Sequence, residues 1–233
     1  MSLKGGWQEK AAAYVEEYMR SVDFAAYSIV TVRPLVYDNA LQEALNDTYE
    51  NHILWHLRSV VARDIVGFVA KAMDPTKGAF SLKGLISNVR KQPFWSDLEA
   101  DWIGQGGVSL LTDQPDGLGL SVAVSPTAFV NQLSQRLEAL QSSDKFKKVK
   151  GMRDQIVAHL GNPVKQHQPL ILPSYDCLFE LADEIIEIAL QFASFMTCTT
   201  PADVREFARV YSEEFWARLS GIEPSRLRFD RPG

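Results

Sequence analysis

The sequence predicts an all-α protein: an antiparallel helical bundle with extra helices toward its N- and C-terminal ends. Apolar residues recur every three to four positions along nearly the whole chain, the pattern of helices that each bury one face. The segments so marked are long, and most breaks between them are short and fall at Pro, Gly, Ser or Asn. At 233 residues, with 46% hydrophobic residues, the chain can bury most of the surface it exposes when unfolded. It carries no internal repeat and no low-complexity tract, and residues 1–233 read as a single helical domain.

Residues 7–20 read as a first helix. Residues 24–32 read as a second helix or a short extended piece ahead of Pro34, because Ile29, Val30, Thr31 and Val32 are all β-branched. Leu41, Leu45, Tyr49, Ile53, Leu57, Val61, Ile65 and Val69 then repeat every four residues. With a parallel row at Val60, Phe68 and Ala72, they predict one long helix, capped by Asp38 or Asn39 and ended at Asp74-Pro75. Ser81 caps a short helix to Gln92, and Pro93 opens another carrying Trp95, Leu98 and Trp102. Residues 104–125 are an irregular insertion, with room for a short hairpin at 119–124. Pro126 restarts the helix, Ser142-Ser143 mark a kink or a break, and helix resumes from Asp144 to about Leu160 before Gly161-Asn162-Pro163. A strongly amphipathic helix spans 173–196, and a last one spans 201–220. The tail beyond, with Pro224, Arg226, Arg228 and Arg231, reads as loosely ordered.

Composition removes several classes. Gly 14, Pro 11 and Cys 2 exclude collagenous and disulfide-framework proteins, and a net charge of −5 with ordinary apolar content excludes a mainly disordered chain. Cys177 and Cys198 read as small buried thiols, with a disulfide between them the alternative. Residues 1–8 hold no apolar run that would suggest a leader. The most apolar segment, 178–196, is interrupted by Glu180, Asp183, Glu184, Glu187 and Gln191, so a membrane span is not expected. The expected location is the cytoplasm.

One short motif bears chemistry: Arg153-Asp154-Gln155-Ile156-Val157-Ala158-His159. On an ideal helix Arg153 and His159 stand about 9 Å apart along the axis and about 120° around it. They do not touch by default, though an arginine can reach toward a shared groove. The plainer reading of the same residues is a histidine near a helix C-terminus, favoured there by the dipole, with Arg153 and Asp154 as surface groups. Around the motif, Lys145, Lys147, Lys148, Lys150, Arg153 and Lys165 face only Asp144 and Asp154 between 143 and 168. A basic strip on an acidic chain suits a local phosphate site, and it also suits a solvated helical face.

An Arg, a polar residue and a His after a short spacer resemble the signature of the HEPN superfamily, and the fuller string resembles its abortive-infection, AbiU-like branch. That string has Lys150 three residues before Arg153 and ends in Ala158-His159. Trp55-His56-Leu57, Ala62-Arg63-Asp64-Ile65, and Asp74-Pro75 followed by Ser81-Leu82 and Leu85 are similar to the same branch. The resemblance covers roughly 40–195 and implies a HEPN-like core at about 38–198. It implies a metal-independent endoribonuclease that works as a homodimer without cofactor in a toxin or phage-defence role, with RNA as substrate and an antitoxin protein as partner. Residue by residue, it gives His159 general acid/base work, Arg153 the phosphate, and Asp154 the orientation of one or the other. Lys147, Lys148, Lys150 and Lys165 would hold RNA. Gln155 stands where AbiU-like members usually have Lys. Gly161 stands where a variant branch carries a nucleotidylated Tyr, so that regulation is not implied. The alternative is a catalytically idle RNA- or protein-binding module of the same fold.

Other patterns carry less. His52 and His56, four apart, could share a metal, but Ile53 excludes a His-Glu-x-x-His motif, and core or interface histidines fit better. The glycines at 104–107 and 117–119 lack the strand and the Lys-Ser/Thr ending of phosphate loops. Phe94, Trp95 and Trp102 read as bundle packing, and Phe207, Tyr211, Phe215 and Trp216 as a docking helix; either set could instead form a dimer interface.

Overall fold

The computed structural model describes residues 6–46, 48, 50–74, 80–104, 125–161, 174–197 and 204–230, with side chains except at 50, 104 and 155–161. The irregular insertion at 105–124, including its expected hairpin, and Cys198 lie outside the described residues, so the suggested disulfide does too; Cys177 itself is a free, buried thiol. Every regular element among the described residues is helical, and the protein is all-α. These elements are α1 (Gly6–Tyr37), α2 (Asn39–Asn46), α3 (Glu50–Ala72), α4 (Leu82–Asn88), α5 (Trp95–Gly104), α6 (Pro126–Ser142), α7 (Asp144–Gly161), α8 (Tyr175–Thr197) and α9 (Val204–Ser220). Short 3₁₀ turns follow α4 at Val89–Lys91 and α9 at Pro224–Arg226.

Residues 6–37 form one helix, where the sequence suggested a break and an extended piece. Ala11, Val15, Tyr18, Val22, Ala25, Ile29 and Val32 are all buried, at alternating steps of four and three that keep one stripe inward. The β-branched cluster costs the helix at most about 0.7 kcal/mol per residue, while burying a Val or Ile contributes about 2 kcal/mol. Packing therefore wins over propensity. Pro34 is accommodated near the end, and its carbonyl accepts the Asp38 N–H at 2.9 Å.

The predicted long helix is two. Asp38 caps α2, its Oδ1 accepting the Leu41 N–H at 2.9 Å. At the break the Thr48 hydroxyl donates to the Leu45 carbonyl (2.8 Å) and the Asn51 amide to the Asn46 carbonyl (2.8 Å). These side chains satisfy the carbonyls that end α2. The register shifts across it: Leu54 is buried, and Ile53 and Val60, expected inside, are exposed.

The chain groups into two compact units, to which α1, α3 and α8 each contribute residues. One comprises residues 1–20, 71–142 and 187–202. Here the Ser81 Oγ accepts the Gly84 N–H at 3.0 Å and caps α4, which packs on α6. Phe195 gathers Phe129, Trp102 and Trp95 at ring distances of 4.7, 6.1 and 6.5 Å, so the tryptophans do pack the interior. The Tyr14 hydroxyl donates to the Leu85 carbonyl at 2.9 Å.

The other unit comprises residues 21–70, 143–186 and 203–233. Arg33 pairs with Asp183, joining α1 to α8, and the Tyr37 hydroxyl donates to Asp176 at 2.7 Å. Trp216 of α9 is fully buried, its indole N–H on the Thr31 carbonyl at 2.9 Å. Its neighbours Phe207, Tyr211 and Phe215 are exposed instead. The tail expected to be loose is anchored at Leu227 and Phe229, while Arg226, Arg228 and Asp230 are exposed. Gly221, at φ +73°, ends α9 in the left-handed conformation glycine favours. Leu227 and Phe229 are then buried in a cluster with Val30, Leu41, Leu45 and Trp216. The Arg228 N–H donates to Asp38 Oδ2 at 2.8 Å. No described helix is long and apolar enough to cross a membrane.

Candidate active site on helix α7

Helix α7 starts where serine can cap it. The Ser143 Oγ accepts the Phe146 N–H at 3.2 Å, and its carbonyl accepts the Lys147 N–H at 3.2 Å. Asp144 in the first turn suits the positive end of the dipole, and the Lys147 ammonium on it (2.8 Å) holds its carboxyl below the usual range. Phe146, Val149 and Met152 are buried, and spacings of three residues put them on one side of the helix. The adjoining row, about 100° round the helix, carries Lys147, Lys150 and Arg153 at the same spacing.

Arg153 and Asp154 are brought together. The guanidinium donates from Nε at 3.0 Å and from Nη2 at 2.7 Å, both to Asp154 Oδ1. Successive helical residues do not face one another, so the contact exists because the long arginine folds back. Its side chain is 39% exposed and that of Asp154 53%. A pair this wet adds little stability, but it leaves a planar, half-exposed guanidinium at one orientation. The backbone of α7 continues through His159. The His159 imidazole and Lys165 lie outside the described residues, so the structure carries no geometry between Arg153 and His159.

The lysines divide into two kinds. Lys145 pairs with Glu180 of α8, whose hydrogen bond and charge raise its pKa. Lys147 is held by Asp144. Lys148 and Lys150 are exposed, without an ion-pair partner among the described residues. Beside them the Cys177 Sγ reaches the Lys145 carbonyl at 3.8 Å. Burial raises its thiol pKa, opposed by the charges of Lys145 and Lys148.

His52 and His56 are both exposed on α3, which removes the core reading and leaves a surface role. Among the described residues no group of three His, Cys, Asp or Glu is placed to hold a metal ion. The same helix holds a cluster the sequence did not single out. The Arg58 guanidinium lies 5.2 Å from the Trp55 ring centre and 4.5 Å from that of Tyr175. Trp55 and Arg58, three apart, are a local signal; Tyr175, 117 residues away, is not.

A family model described as AbiU2, of the HEPN group, matches residues 8–205. The chain belongs to the AbiU2 family. The match is wider than the 40–195 span on which the resemblance rests, and it runs from the first turn of α1 to the first turn of α9. Within the AbiU2 family, then, this chain carries Arg153, Asp154 and His159 on one helix inside the matched region. No curated protein and no solved structure matches it.

Proposed function

We propose that the protein is a metal-independent endoribonuclease of toxin or phage-defence type, acting in the cytoplasm by transesterification at a cleft between two copies of the chain. The observation that carries this reading is the Arg153 guanidinium, held by Asp154 on a half-exposed helical surface six residues ahead of His159 in an AbiU2-family chain. In the reaction, the ribose 2′-oxygen bonds to phosphorus and loses its proton to a base. The P–O5′ bond breaks, and the leaving oxygen takes a proton. The products are a 2′,3′-cyclic phosphate and a 5′-hydroxyl. His159 serves as base or acid, since an imidazole titrates near neutrality. Arg153 stabilises the added charge on the phosphoryl oxygens with two aligned donors. Asp154 is a positioning residue that keeps the guanidinium in plane until phosphate replaces it. Two copies of α7 meeting across a two-fold axis would combine an Arg and a His that diverge on a single helix. An antitoxin protein would restrain the activity.

The test is digestion of total cellular RNA in chelator by the purified chain, beside Arg153→Ala and His159→Ala. Discrete products ending in cyclic phosphate are expected. Each substitution should lower the rate by about 10²–10³-fold. Equal cleavage by all three proteins would refute the site. Binding without cleavage, in folded dimeric protein, would replace the enzyme by an RNA-binding module.

A further inference from the structure

The exposed face of α3 carries a group that the cleavage chemistry leaves unused. Trp55 keeps 61% of its surface open, next to exposed His52 and His56. One turn on, Arg58 sets its guanidinium 5.2 Å from the Trp55 ring and 4.5 Å from the Tyr175 ring of α8. Tyr175 is fixed in turn: its ring rests 5.8 Å from Phe179, and its hydroxyl points to the Arg58 carbonyl at 3.5 Å. The Arg58 Nε is buried with no partner among the described residues. Among the described residues, ring contacts rather than an ion pair hold this plane. Trp55 is too open for a core role, and its face is already backed by a rigid cation.

The platform belongs to the same compact unit as α7. The first two turns of α8, which bear Tyr175, dock against the first turn of α7 through Lys145–Glu180 and the Cys177 contact to the Lys145 carbonyl.

We infer that Trp55, Arg58 and Tyr175 form a base-stacking subsite for single-stranded RNA. This rests on the RNA reading above and deepens it by naming the strand type. An unpaired base offers a free π-face to aromatic rings and guanidinium planes whatever its sequence, and a duplex offers none. The cation in the platform suits a polyanion with planar groups better than an apolar protein partner.

The experiment is fluorescence anisotropy of fluorescein-labelled oligoadenylate in chelator, in a His159→Ala background so that binding is read without turnover. Trp55→Ala should weaken binding about tenfold, and Trp55→Phe should restore most of it. Arg58→Lys, which keeps the charge and loses the plane, should weaken binding severalfold. Unchanged affinity in Trp55→Ala and Arg58→Lys, while Lys150→Gln weakens binding, would overturn the subsite and leave the RNA reading standing. No binding by the parent protein would remove both. Loss of a dimer in Trp55→Ala, with RNA affinity per protomer unchanged, would overturn the subsite and assign the platform to a second copy of the chain.

Discussion

At the scale of single residues, polar groups placed inside the protein carry specific energetic consequences. Asp38 is 2% exposed, and each of its oxygens accepts a backbone N–H, one from Leu41 and one from Arg228. Asp38→Ala strands both donors and should cost about 2–3 kcal/mol in urea unfolding. Asp38→Asn, which keeps one acceptor oxygen, should cost about half as much. Tyr14 gives a test in pH. Burial, opposed by a hydrogen bond with Gln92, pushes its hydroxyl up to about 12, against about 10 when unfolded. Its contribution to stability is therefore full below about pH 10 and is lost as pH climbs through about 12. Burial also pushes Tyr18 well above the ordinary range. A titration followed at the phenolate absorbance should leave Tyr14 and Tyr18 unionised until the chain unfolds. Tyr14→Phe, which frees the Leu85 carbonyl, should cost about 1 kcal/mol at neutral pH.

At the scale of elements, α9 is held by few residues. Trp216 fills the core and bonds Thr31, while Phe207, Tyr211 and Phe215 stay outside. Trp216→Ala should thus cost about 3–5 kcal/mol, and Phe215→Ala less than 1; the two urea midpoints decide it. Starts and stops of helices were legible in the sequence because their chemistry is local: Ser81, Ser143 and Pro126 act where the residue types say they should. The continuity of α1 was legible too, in the alternating four-three spacing from Ala11 to Val32, but β-branched propensity argued against it and packing overruled it. The break between α2 and α3 was hidden, because a spacing of four crosses it unbroken. For the site, the Arg153–Asp154 contact joins neighbours in the chain, so sequence could suggest it. The Trp55–Arg58–Tyr175 platform depends on a helix more than a hundred residues on, and no local pattern announces that.

At the scale of the whole molecule, an acidic chain of net charge −5 carries a local excess of positive charge on α7. RNA bound there should be gripped over a short stretch. With Lys147, Lys148, Lys150 and Arg153 engaged, the logarithm of affinity should fall with the logarithm of salt at a slope of about −3. Lys148→Gln with Lys150→Gln should make that slope shallower by about 1.4; an unchanged slope would mean that other cations hold the strand. The tie between Asp38 and Arg228 spans 190 residues of chain, and Leu227 and Phe229 cover Leu41 and Leu45 in the same cluster. During synthesis, at about 5–20 residues per second, the first half of that cluster waits about ten to forty seconds for its cover. For that interval the nascent chain presents an apolar surface that the finished protein conceals.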